Sequence, residues 1–274
     1  MKKIAFLSSL FITTYSYATI NAIVSIVPQK TFLQEIAKDK VNITTMVKPG
    51  VSMHTYEPKP SDMKSIAKAD IYFGLGVEFE KHWLNKFKSI NTKMLIKDTS
   101  YGIKRLTMKK HSKNPHKQSL DPHIWTSPTN VKIIAKNMLD ALVLKDKANE
   151  AFYMKNYKEF ISKINKTNQE IKTIISKKDH NKFMVFHPSW QYFAKEYNLK
   201  QIPIEIEGKN PKPKMLKNLI VQAKKENIKA IFASPYHSDK MARLITNELN
   251  IRLIKITPMN ENWSKTLIKM ANSY

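Results

Sequence analysis

Apolar positions along the chain fall into two patterns that alternate. Short runs rich in β-branched and aromatic residues, at 20–27, 41–47, 71–75 and 94–96, read as strands. Between them, apolar residues recur at helical spacing: Phe32, Leu33 and Ile36, then Met63, Ile66 and Ala67, then Phe79, Trp83, Leu84 and Phe87. Ser61 is the expected N-cap of the second of these helices. Ser127, followed by Pro128, opens a further helix that runs to about Leu144. Strand-like runs return at 183–186, 202–206, 228–233 and 251–256, separated by helical patterns at 190–197, 213–226 and 238–249 and followed by one from about Asn262.

The two series are separated by the longest uninterrupted helical pattern, residues 148–177. Phe152, Tyr157, Phe160, Ile164, Ile171 and Ile174 form its apolar stripe, and no proline or glycine breaks it. Some thirty residues at ~1.5 Å each would make a rod about 45 Å long, enough to brace more than one body. Strands alternating with helices imply parallel sheets covered on both faces. The expected fold is therefore α/β: two lobes, 19–147 and 178–274, each a four-stranded parallel sheet flanked by helices, joined by one long rigid helix. Residues 99–122 lack periodicity and read as a mobile loop.

The first eighteen residues carry a different signal. Lys2 and Lys3 precede a short apolar stretch, and Ser16-Tyr17-Ala18 offers small residues at the two positions a signal peptidase inspects. Residues 1–18 are expected to be a cleavable signal peptide, since the apolar run is far shorter than the ~20 residues that span a bilayer. Cysteine is absent, which removes disulfides and any thiolate ligand, and leaves no acceptor for a lipid. The mature chain is expected to be a free periplasmic protein and a monomer. A hydrophobic fraction of 42% is ample for real cores and excludes global disorder. The formal net charge of +25 raises the question of nucleic acid or an anionic membrane. Its lysines are spread along the whole length without a nucleic-acid motif, so they read as a solvated surface. No nucleic-acid partner is expected.

Candidate chemistry rests on histidine. In open parallel sheets, ligands bind beyond the carboxyl ends of the strands. His54 lies in the proline- and glycine-bearing loop KPGVSMHTYEPKPSD after the second strand, His123 in DPHIWTSP before a helix, and His187 in FHPSW directly after a strand. Three imidazoles facing one cleft suit zinc or another late first-row divalent ion. His82, on an amphipathic helix, and His180, on a polar turn, read as structural.

The stretches GVSMHTYEPKPSD, DPHIWTSP and FHPSWQYFAKEY, in this order around a long helix, resemble the zinc-binding branch of the periplasmic metal-binding proteins of bacterial ABC importers. The resemblance covers essentially the whole chain after the signal. It implies two α/β lobes bridged by a rigid helix, with His54, His123 and His187 as metal ligands. It also implies Zn2+ as the ion captured and the membrane permease of an ABC importer as the partner. Manganese- and iron-binding relatives usually carry glutamate at the third position, so His187 points to zinc; a manganese or iron carrier is the alternative. Where the family commonly has an aspartate after the last strand, this chain has Thr257, and His237 or Glu57 are candidates for the fourth ligand. The long histidine-rich loop of zinc-binding relatives is reduced here to His111 and His116, candidate weak recruiters among lysines.

Two other classes fit the residues less well. His54 and Glu57 form an H-x-x-E pair that a zinc hydrolase could use, but Pro58 follows directly and the pair lies in a loop rather than on a helix. An adhesin could exploit the basic surface, yet repeats and a lipid acceptor are both missing. A non-enzymatic zinc carrier is the expected function.

Overall fold

The structure, a computed structural model, describes residues 19–108, 119–205, 209–236 and 238–274. Its first sheet contains β1 (Ile20–Ile26), β2 (Val41–Val47), β3 (Ile71–Gly74) and β4 (Leu95–Asp98), all parallel, in the order β2-β1-β3-β4. The second contains β5 (Lys182–Val185), β6 (Lys200–Pro203), β7 (Ala230–Ala233) and β8 (Arg252–Lys255), in the equivalent order β6-β5-β7-β8. The alternation of strand and helix dictates this, because a parallel neighbour requires a crossover connection. No helix among the described residues is long and apolar enough to cross a membrane.

Helices α1 (Val27–Ala37), α2 (Pro60–Lys68), α3 (Glu78–Ile90) and α4 (Pro128–Lys145) belong to the first lobe. The connecting helix α5 spans Glu150–Ile175, 26 residues, which makes it about 39 Å long at ~1.5 Å per residue. It lies within the expected 148–177 and starts two residues after 148. Lys147–Asn149 form a 3-10 turn, and the Asp146 carboxylate accepts from Asn149 Nδ2 and Tyr153 OH, both at 2.7 Å, so the chain enters α5 from a fixed corner. The second lobe adds α6 (Gln191–Glu196), α7 (Pro213–Lys225), α8 (Lys240–Leu249) and α9 (Trp263–Ser273).

Two further expectations needed correction. Helix α2 starts at Pro60, one residue before the expected cap at Ser61, and Lys59 is the N-cap residue. Proline's preset φ suits the first helical position, and the Asp62 carboxylate reaches back to the Lys59 N–H at 2.8 Å. The segment 99–122 is not loose throughout. Thr99 is fully buried, Thr107 and Leu120 form an antiparallel bridge, and Asp121 N–H donates to Leu106 at 2.8 Å. Residues 109–118 lie outside the described residues.

Strand β5 shows how alternation builds the second lobe. Phe183 and Val185 face the core shared with the first lobe, whereas Met184 faces a smaller cluster with Ile202, Ile231 and Ile245. The shared core runs from the first sheet through Phe160 and Ile164 of α5 to Phe193, Phe232 and Trp263. Helix α5 hydrogen-bonds to both sides: Asn156 Nδ2 donates to the Ile36 carbonyl at 3.0 Å, and Thr167 bonds the Ser264 hydroxyl at 3.0 Å. Two tryptophans close the joint reciprocally. Trp125 Nε1 donates to the Pro258 carbonyl at 2.9 Å, and Trp263 Nε1 donates to the Trp125 carbonyl at 2.7 Å. The Trp263 ring also meets Phe32 edge-on, centroids 5.6 Å apart. The last helix of the chain thus returns to the first lobe.

Trp263→Ala removes this wedge and one of the paired hydrogen bonds. Chemical denaturation should show a loss of about 3–5 kcal/mol. A loss under ~1 kcal/mol would mean that the joint does not depend on the wedge.

A buried acid sets a second expectation. Glu80 is 2% exposed and accepts from the N–H groups of Leu75 (2.9 Å) and Gly76 (2.7 Å) and from the Ser25 hydroxyl. Burial pushes its carboxyl up to about 7. Between the ordinary value of 4.5 and about 7 the folded state holds the extra proton, so stability falls as pH rises through that window, by on the order of 3 kcal/mol. Denaturation at pH 5 and pH 8 should show that Glu80→Gln removes most of this slope; an unchanged slope would assign it to other groups.

Candidate metal centre

Three loops at the carboxyl ends of the strands bring one histidine each into the cleft between the lobes. The first follows β2. Gly50, at φ 83°, turns the chain where a side chain would meet strain, and the Val51 N–H closes the turn onto Lys48 at 3.1 Å. Beyond His54 the loop is pinned by buried Tyr56, whose hydroxyl donates to Asp62 at 2.7 Å and whose ring packs edge-on against Phe79. The loop is therefore held at both ends, with His54 between them.

His123 is set more rigidly, being 2% exposed. It precedes a 3-10 turn, Ile124–Thr126, and its carbonyl accepts the Thr126 hydroxyl at 2.9 Å. The next residue, Ser127, caps α4 by accepting from the Asn130 N–H at 3.1 Å. It also donates to Glu196 of α6, which takes the Thr129 hydroxyl at 2.6 Å as well. A carboxylate from the second lobe thus sits at the positive end of a first-lobe helix. His187 follows β5 by two residues. The parallel ladder continues past both strands, with Ile204 N–H donating to Val185 at 2.8 Å and Glu205 N–H to Phe186 at 2.9 Å. That register lays Glu205 beside His187.

The nitrogens of His54, His123 and His187 that could bind a metal all lie within 4.8 Å of one another. Each Nδ1 faces a different carboxylate. His54 bonds Glu78 at the N-terminus of α3, His123 bonds Asp121 at 2.7 Å, and His187 bonds Glu205 at 3.2 Å. An ionised carboxylate only accepts, so each Nδ1 carries the proton and each Nε2 presents a lone pair. The Nε2 atoms of His54 and His187 stand 3.2 Å apart. With no proton to share, such a pair repels unless a cation lies between them. Two nitrogens on one tetrahedral zinc, at bonds of ~2.0–2.1 Å, would be about 3.3 Å apart.

Electrostatics favour the same state. Burial holds the His123 imidazole below its usual pKa, outweighing the pull of Asp121, so it is neutral and able to ligate. Burial works against the charge on Glu78, but the His54 ring outweighs it and keeps this carboxyl below the ordinary range. Asp121 is fully buried, and its Oδ2 has no hydrogen-bond partner among the described residues. A buried anion left half-satisfied is costly, and a divalent cation on the neighbouring ring would compensate it.

The three histidines expected to meet do so. Glu57 is exposed and stands outside the group, so the hydrolase pairing of His54 with Glu57 is not assembled. Thr257 lines the cleft. His82 is exposed on α3, and His180 bonds Asp179 at 2.8 Å and stands outside the group. His237, His111 and His116 lie outside the described residues. The three carboxylates were missed by sequence reasoning. Only Asp121, two residues before His123, left a local signal, an Asp-x-His spacing; Glu78 and Glu205 reach their histidines through the fold.

A two-lobed α/β body with a rigid connecting helix and a histidine cluster in the cleft defines a metal-binding solute-binding protein of the ABC-importer type. Residues 23–273 match the family described as "ZnuA: Zinc-uptake complex component A periplasmic", and the chain belongs to that family. Among curated relatives, the high-affinity zinc uptake system protein ZnuA of Bacillus subtilis is 28% identical over 247 residues, 85% of this chain and 76% of the relative. A manganese ABC transporter substrate-binding lipoprotein of Streptococcus gordonii is 29% identical over 231 residues, 80% of this chain and 73% of the relative. A crystal structure of ZnuA is 37% identical and superposes with a TM-score of 0.87, covering 93% of this chain and 97% of that one. A zinc-bound ZnuA carrying a deletion of 138–173 in its own numbering is also 37% identical, with a TM-score of 0.86, covering 93% of this chain and 96% of that one.

Asp121→Asn keeps the shape of the bond to His123 while removing the charge. Zinc affinity, measured by chelator competition, should fall roughly 10–100-fold. An unchanged affinity would show that this carboxylate does not tune the ligand.

Proposed function

We propose that this protein captures Zn2+ between its lobes through Nε2 of His54, His123 and His187 and delivers it to the membrane permease of an ABC importer. The observation that carries the reading is the convergence of three Nε2 lone pairs, each turned inward by a carboxylate on Nδ1. An all-nitrogen set of this kind suits zinc, whereas manganese prefers harder oxygen donors. The zinc named for the Bacillus relative and present in the deletion mutant supports the same choice. The protein acts outside the cytoplasm as a monomeric carrier without catalysis, exported by residues 1–18. The absence of cysteine favours a form without lipid.

Isothermal titration of metal-free protein with Zn2+ should reveal one tight site at near 1:1 stoichiometry, and Mn2+ should not displace the ion. Because imidazole must be neutral to ligate, affinity should fall as pH drops below about 6.5. The triple substitution His54→Ala, His123→Ala, His187→Ala should abolish the tight site. Full retention of binding in that variant would overturn the assignment.

A further inference from the structure

Helix α7 is charged with one sign. It carries Lys214, Lys217, Lys224 and Lys225 and no acid, and Lys212 stands at its N-cap. A helix dipole favours acids in the first turn, so Lys212 and Lys214 work against the helix they begin. Local folding does not account for them. Leu216, Leu219 and Ile220 turn inward onto the second-lobe cluster. Lys214, Lys217, Val221, Lys224 and Lys225 are all exposed, at the three- and four-residue spacing that puts them on one outward face. Val221, 59% exposed, is the apolar residue among these lysines.

The stripe continues past the helix. Lys182 and Lys200, the first residues of β5 and β6, are neighbours in the parallel ladder. Lys182 and Lys225 line one recess of about 270 Å³ at the foot of α7. Its two carboxylates are already engaged, Asp179 by His180 at 2.8 Å and Glu226 by Lys182. The Lys182 bond, with Lys200 and Lys225 nearby, holds the Glu226 carboxyl below its ordinary range. At the other end, Asn210, three residues before α7, lines the metal cavity. The stripe thus runs from the edge of the cleft to the strand starts, about 20 Å along the helix at ~1.5 Å per residue. On α5, by contrast, exposed lysines are interleaved with Glu159 and Glu170.

We propose that the outward face of α7 binds an anionic lipid surface. Lysine is a point charge on a flexible stem, which suits headgroup phosphates of no fixed geometry. Those stems can keep their charges among the headgroups while Val221 reaches the acyl boundary. One convex helix side offers a protein partner little to grip, whereas lipid conforms to it. The proposal rests on the reading of an exported carrier, which places the protein beside a membrane, and it does not involve the zinc site.

Cosedimentation of the exported protein, residues 19–274, with vesicles tests this. One set is phosphatidylcholine alone, the other equal parts phosphatidylcholine and phosphatidylglycerol. Binding is expected only to the anionic set and should be lost at high salt, because the attraction fades within a Debye length. Combining Lys214→Gln, Lys217→Gln, Lys224→Gln and Lys225→Gln should weaken it about tenfold or more. The first two and the last two substitutions, made separately, should each give part of that loss. Removing as many charges from α5, by Lys155→Gln, Lys158→Gln, Lys166→Gln and Lys172→Gln, should weaken it less than about threefold. Every variant should hold zinc as tightly as the unaltered protein, which reports that it is folded. Equal losses from α7 and α5 would assign the binding to overall charge and overturn the proposal. Binding to phosphatidylcholine alone would overturn it too, as would no binding to anionic vesicles, which would leave the stripe to an acidic protein partner. None of these results touches the zinc site, and a failure of the unaltered protein to bind zinc would overturn that site and not this surface.

Discussion

Three imidazole lone pairs aimed at one point are mutually repulsive, and the rest of the structure exists to hold them there. Each ring is fixed by a carboxylate behind it: Glu78, Asp121 and Glu205. Each carboxylate comes from a different element, so no single helix or loop owns the centre. The arrangement is stable only if the two lobes cannot drift apart, because His187 and Glu205 belong to one lobe and the other four residues to its partner. Here the joint matters. The buried stripe of α5, the paired tryptophan hydrogen bonds and the returning α9 make the two lobes one continuous core.

Such a joint limits how the ion can enter and leave. A hinged pair of lobes could open widely, but a 26-residue helix bonded to both lobes resists that motion. His54 is carried by a loop fixed at its turn and at Tyr56, and the Tyr236 ring meets Gly50 across the cleft. His123 sits at the other extreme, buried beside a capped helix and a 3-10 turn. The cluster therefore has one buried imidazole and two partly exposed ones.

Much of this was legible in the residues. Runs rich in β-branched and aromatic residues fell on the eight strands of the described residues, and period-3.6 spacing on the long helix, since both are local properties of the sequence. The prolines around His54, and the cap formed by Ser127 and Pro128 after His123, marked both histidines as presented from shaped segments. Errors were local. Ser61 was expected as an N-cap where Pro60 begins the helix, and the long helix starts two residues after 148 because a 3-10 turn precedes it. The segment around Asp121 looked featureless because its order comes from Leu106, Tyr192 and the bridge between Thr107 and Leu120, none of which is periodic.

By itself, then, the sequence determined two α/β lobes, a brace between them and three histidines at strand ends, because these follow from local pattern and from parallel-sheet topology. What the tertiary structure alone decided is which nitrogen of each ring faces the cleft. That depends on Glu78 and Glu205, placed by a helix start and by strand register at 24 and 18 residues' remove from their histidines. Cavities have no signature in a sequence, because their walls are assembled from residues of both lobes.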